Sequence, residues 1–169
     1  VRHGFVAGGI DQTHQIAADS DPWALVSMYP SVSRAFAGSE EIAAARDLAR
    51  SFLTDIQAVH GLPVSVRVLA TVQLVVSELV TNARKYAPGP CLLTLEAQDG
   101  AVNVTVWDSE PALPAVLPAD PGRVGQHGLE IVMAVCQSLH VRREPVGKRI
   151  TTTIALADDP GGGVAGRRL

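Results

Sequence analysis

Apolar residues recur at helical spacing at Ile42, Ala45, Ala49, Phe52, Leu53, Ile56 and Val59, and Gly61 follows as a helix terminator. Ser39 reads as the N-cap, with Glu40 and Glu41 in the first turn where the helix dipole favours negative charge. A second apolar run starts near Pro63, a residue suited to a first helical turn, and passes through Val66, Leu69, Ala70 and Leu74 into VVSELVTNARKYA. Pro88-Gly89-Pro90 ends it. The pattern then changes to alternation. Leu92–Ala97 and Val102–Trp107 predict two strands around Gln98-Asp99-Gly100, where Asp-Gly signals a tight hairpin, and the second strand ends at Asp108.

Ser31–Ala37 predicts a further short strand. Leu129, Ile131, Val132, Val135 and Leu139 predict a helix, and Val141–Glu144 with Ile150–Leu156 a last hairpin across Pro145–Lys148. Between them, Ser109–Gln126 holds Pro111, Pro114, Pro118 and Pro121 and forms no regular element. A loop of that length inside a domain reads as a lid or as disorder. The expected organisation is a loose arm over residues 1–30, one domain over 31–156 and a Gly-rich flexible tail over 157–169. Strand, two helices, hairpin, loop, helix and hairpin predict an α/β fold: a two-layer sandwich with a mostly antiparallel sheet and helices on one face.

Composition narrows the function classes. A chain of 169 residues suits a single domain with a real core. A net charge of −3 leaves no basic footprint for nucleic acid. Cys91 and Cys136 lack metal or disulfide spacing and read as reduced core residues, and the five histidines form no metal-ligand pair. No apolar run reaches about 18 residues and no signal region opens the chain, so a cytoplasmic protein without membrane contact is expected.

The candidate chemistry lies in the second helix. Glu78 and Asn82 are four residues apart and share a face, with Lys85 following beneath. Leu74, Val75, Thr81 and Asn82 occupy the i±3 and i±4 positions of Glu78, so it has no helical charge partner. Either it stands at the solvent edge, or a cation or a ligand's polar groups satisfy it. Arg46 and Arg50 on the preceding helix read as a solvated face. Gly125-Gln-His-Gly128 opens onto a helix N-terminus, an arrangement that presents backbone N–H groups to an anion.

An acid and an amide on one helical face, an Asp ending a strand, and a Gly turn before a helix follow in fixed order. Together they resemble the GHKL-type (Bergerat fold) ATP-binding domain of gyrase, Hsp90, histidine kinases and MutL. The nearest likeness is to its small stand-alone branch, the bacterial anti-sigma-factor serine/threonine kinases and related regulators. SELVTNARKYA resembles the N-box, VTVWDSEP the first glycine-box strand, GQHGLEIV the second glycine box and GKRITTTIAL the closing strand. The resemblance spans residues 31–156. It implies ATP and Mg²⁺ as cofactors, with Asn82 holding Mg²⁺ and Glu78 acting as catalytic base on a water or a partner's serine. It further implies Lys85 at a phosphate, Asp108 at the adenine amino group, and Gly125 and Gly128 allowing close backbone approach. Tyr86, His127, Leu129 and Thr152 would complete the nucleotide site. The partners implied are a sigma factor, an anti-sigma antagonist and a second copy of the chain.

Two departures stand out. Ser109-Glu110-Pro111 follows Asp108 where the branch usually has a glycine two residues on, and Gln126-His127 widens the second glycine pair. They favour an alternative, a non-catalytic ATP-binding partner switch. A sensor histidine kinase and an ATPase motor fit less well, since neither a phosphoacceptor helix nor a transducer domain is expected.

Overall fold

The computed structural model describes residues 29–37, 42–87, 89–113 and 127–157. The elements are β1 (Ser31–Phe36), α1 (Ile42–His60), α2 (Val66–Tyr86), β2 (Cys91–Gln98), β3 (Ala101–Asp108), α3 (Gly128–Val135), β4 (Ser138–Arg143) and β5 (Lys148–Ala155). The five strands form one sheet in the order β1-β2-β3-β5-β4, and every neighbouring pair is antiparallel. This is the α/β two-layer sandwich that the patterning predicts.

Alternation decides which face of the sheet is covered. Cys91, Leu93, Leu95 and Ala97 of β2, Val102, Val104 and Val106 of β3, and Ile150 and Ile154 of β5 are buried. Against them pack Ala45, Ala49, Phe52, Leu53 and Ile56 of α1 and Val72, Val75, Val76, Leu79, Val80 and Ala83 of α2. By length and mean hydropathy α2 is apolar enough to cross a membrane, but Val72, Val75, Val76, Leu79, Val80 and Ala83 on it close the core on the sheet. The other sheet face carries hydroxyls in register: Ser33 opposite Thr94, Thr94 opposite Thr105, and Thr105 opposite Thr151. Ser33 Oγ lies 2.8 Å from Thr94 Oγ1, and Thr105 Oγ1 3.2 Å from Thr151 Oγ1.

The β2–β3 hairpin has the two-residue loop expected. Asp99 and Gly100 both adopt positive φ, 52° and 72°, the mirror-image turn whose twist matches the strands.

Two helix boundaries differ from expectation, and with them β4 and β5 begin earlier, at Ser138 and Lys148. Pro63 does not enter α2; Ser65 caps the helix, its Oγ accepting from the Val68 N–H at 3.1 Å. Ser65 N–H also donates to Leu156 O, which ties the helix start to the chain just after β5. The third helix stops at Val135, not near Leu139. Cys136 turns extended (φ −101°, ψ 160°), and Gln137 N–H donates to Thr153 O. Leu139 and Val141 thus pack on the core from a strand, at period two. Ser39 and its acidic neighbours, most of the expected arm, the expected tail after Ala157 and residues 114–126 lie outside the described residues.

Candidate functional site

Position 78 lies in the middle of α2, between the fully buried Val75, Val76, Leu79 and Val80. Glu78 itself is half-buried, as is Asn82 one turn on. Its carboxylate reaches the start of α3: a Cβ added at Gly128 would stand 2.7 Å from Glu78 Oε2. A side chain at position 128 would displace the Glu78 carboxylate from this place. Among the described residues Glu78 has no ion-pair partner. Its negative charge does face a helix N-terminus, where the dipole is favourable. His127, the N-cap residue, makes no side-chain cap hydrogen bond to that terminus.

Lys85 and Tyr86 end the helix, both exposed, with the Lys85 ammonium 5.3 Å from the Tyr86 ring centroid, a cation–π contact. A shallow, open cavity of about 370 Å³ lies beside them, lined by Ile42 of α1 and by Thr81, Arg84 and Lys85. It flanks the stripe that bears Glu78 and Asn82, and neither of these lines it.

At the end of β3, Asp108 is one of the most deeply buried polar residues among those described, and it is ion-paired. Lys148, its cross-strand partner on β5, donates from Nζ to Asp108 Oδ1 at 2.9 Å, with side chains only 3% and 1% exposed. Glu110 N–H donates to the same oxygen at 2.9 Å, and Lys148 Nζ also donates to Glu110 O at 3.2 Å. Around this pair the β4–β5 turn is locked in place. Trp107 Nε1 donates to Val146 O at 2.9 Å, and Gly147 (φ 78°) sits against the Asp108 carbonyl where any Cβ would overlap it. Arg143 Nε reaches Pro111 O at 3.3 Å, so the chain leaving β3 is fastened for its first residues. One polar atom there stays unsatisfied. Ser109 Oγ is buried without a hydrogen-bond partner, beside Gly89. A ligand or an ordered water would satisfy such a group.

Sequence reasoning placed Lys148 in a turn and gave it no role. The signal was available only after pairing, because nothing local announces that position 148 stands opposite 108.

The remaining expected residues divide. Gly128 meets Glu78, and His127 is half-buried at the entrance of α3. Leu129 is a core residue. Thr152 is fully buried under the helices and donates to Val104 O at 3.4 Å. It stands four residues along β5 from Lys148, about 13 Å at strand spacing, so the fold does not bring it to Asp108. Gly125 lies outside the described residues. Cys91 is buried and Cys136 half-buried, both free thiols; burial pushes the Cys136 thiol pKa up against two backbone hydrogen bonds.

Solved structures resemble this chain, one of them with a TM-score above 0.5. The crystal structure of the RsbU and RsbW domains of Rv1364c from Mycobacterium tuberculosis is 22% identical with a TM-score of 0.52. The alignment covers 75% of this chain and 32% of that one, so the chain spans about a third of that protein's length. A histidine kinase domain of the blue-light activated histidine kinase from Erythrobacter litoralis EL346 is 22% identical, covers 66% and 61% of the two chains and has a TM-score of 0.42. Histidine kinase AdeS of Acinetobacter baumannii is 12% identical, over 81% and 74%, at 0.43. No curated protein matches in sequence. The sequence model of the histidine kinase-like ATPase domain matches residues 39–154. With more than half of its length so matched, the chain belongs to the histidine kinase-like ATPase domain family.

Proposed function

We propose that the chain is an ATP-binding regulator that transfers the γ-phosphate to a serine or threonine of an anti-sigma antagonist, and that it also binds a sigma factor. The observation that carries the reading is the Glu78 carboxylate held against the N-terminus of α3, on the helix face that also bears Asn82. Family membership supports ATP as the ligand.

The donor set fits Mg²⁺. The Asn82 amide offers a hard oxygen, and Mg²⁺ bound to nucleotide needs only one or two protein ligands beside phosphate and water. When bound, Mg²⁺ would neutralise charge on the phosphates. Asn82 would hold it; the α3 N–H groups and Lys85 would meet phosphate oxygens. Glu78 would accept the proton of the partner's hydroxyl as that oxygen bonds to the γ-phosphorus. The bond to the β-phosphate oxygen breaks, and ADP leaves with the electron pair. Positioning and charge neutralisation are most of what such a transfer requires.

The second reading, a partner switch without transfer, is favoured by one observation. The strand-ending acid Asp108 is engaged inside the protein by Lys148.

A thermal melt with Mg²⁺-ATP tests the common ground. Ligand at a hundredfold its Kd stabilises by about 2.7 kcal/mol, a shift of a few degrees for a domain of this size. The shift is expected in the wild type and absent in Asn82→Ala; equal shifts would remove Asn82 from the site. Incubation with γ-labelled ATP and candidate antagonist then separates the readings. Glu78→Gln should bind ATP and transfer nothing, whereas a wild type that also transfers nothing leaves the switch.

A further inference from the structure

We infer that the charge of Glu78 makes the site favour a nucleoside diphosphate over the triphosphate. The inference rests on the reading above, in which Glu78 accepts the proton of the hydroxyl that bonds to the γ-phosphorus. A general base works within about 3 Å of its donor atom, and reacting atoms stand about 3–3.5 Å apart, so the γ-phosphate would lie within about 7 Å of the carboxylate.

Glu78 is half-buried, so part of it stays open to a ligand. Among the described residues it has no ion-pair partner. Charge runs in order along its face of α2: Glu78 is negative, Asn82 neutral and Lys85 positive. At helical rise Asn82 stands about 6 Å from Glu78 along the axis and Lys85 about 10 Å. The Lys85 ammonium lies at the far end, 5.3 Å from the Tyr86 ring centroid.

The start of α3 does not reverse this order. It stands against the carboxylate, with Glu78 Oε2 2.7 Å from the place of a Cβ on Gly128. A helix N-terminus carries only about half a positive charge, and Glu130 in the first turn of α3 offsets part of that.

A diphosphate and a triphosphate differ by the one group that meets Glu78. Mg²⁺ accompanies both, and Asn82 as its ligand brings no charge, so the difference survives. Phosphates nearer Lys85 are attracted; the γ-phosphate is repelled. That repulsion is relieved as the reaction proceeds, because the carboxylate gains a proton while the phosphoryl group passes to the partner. Tenfold in Kd is about 1.4 kcal/mol, less than two unit charges about 7 Å apart exchange at an effective dielectric of about 20.

The test is isothermal titration of the full chain with Mg²⁺-ADP and with the Mg²⁺ complex of the β,γ-imido analogue of ATP, for wild type and Glu78→Gln. Wild type should bind the diphosphate about tenfold more tightly. Glu78→Gln keeps the shape and removes the charge; it should tighten the triphosphate analogue by about tenfold and leave the Kd for ADP within about twofold. A wild type that prefers the triphosphate overturns the inference, and so does a variant that shifts both ligands equally or neither. If Glu78→Gln does not fold by circular dichroism, the wild-type ratio alone decides. Failure of both ligands to bind wild type is a different result: it removes the nucleotide reading, and the inference with it.

Discussion

A methyl group on Gly128 would come within 2.7 Å of Glu78 Oε2. The atom it meets is the far end of a flexible side chain, so Gly128→Ala is expected to cost little stability while moving the carboxylate. Its melting temperature should stay within a few degrees of wild type, with phosphate transfer strongly reduced; full transfer would show that Glu78 need not stand there. Gly147 is the opposite case. Its φ is 78°, and a Cβ would strike the backbone carbonyl of Asp108, so Gly147→Ala combines strain with a clash that no side-chain rotation relieves. A loss of about 3 kcal/mol or more is expected in urea unfolding. Asp108→Asn leaves Lys148 buried beside a neutral group, and removing one partner of a buried pair costs about 3–5 kcal/mol. A loss below 1 kcal/mol would mean that the pair is open to water. For Cys136 the sign is simple. A raised thiol pKa means that the folded state resists thiolate formation, so its contribution is present below the unfolded-state pKa and is lost as pH rises above it. Alkylation of Cys136 should accordingly lag behind that of a free thiol at the same pH.

Elements differed in how much of them the sequence disclosed. The β2–β3 hairpin was fully legible, because Asp99-Gly100 and the alternation around it are local chemistry. So was the face of α2 that carries Glu78 and Asn82, since helical periodicity fixes which residues share a side. The start of α2 was less legible: Pro63 suits a helix entrance, but it is the Ser65 hydroxyl two residues on that caps the helix. The end of α3 was misread for a different reason. Leu139 fits both a helical repeat and an alternating strand, and only pairing with β5 decides between them. The site showed the same division. The Glu78–Gly128 contact and the Asp108–Lys148 pair join residues distant in sequence, so neither was visible without the fold, although three of the four residues had been singled out.

Across the whole molecule, two of the four strand pairings are hairpins and the other two reach far along the chain. β3 pairs with β5 across the helix α3 and the β4 strand, and β1 pairs with β2 across both long helices. Ser31 meets Glu96, and Phe36 meets Cys91. Such a contact is entropically costly to close before the helices have docked. β1 also brings little to the core, since Phe36 is its only buried residue. The edge strand should therefore be the last to join and the first to leave. In native-state hydrogen exchange, β1 amides bonded to β2 are expected to exchange through local opening, with less protection than the β2–β3 amides. Equal protection would mean that β1 opens only when the whole sheet does. Detached, it would uncover the outer backbone edge of β2, and one chain's missing strand would become another chain's binding site.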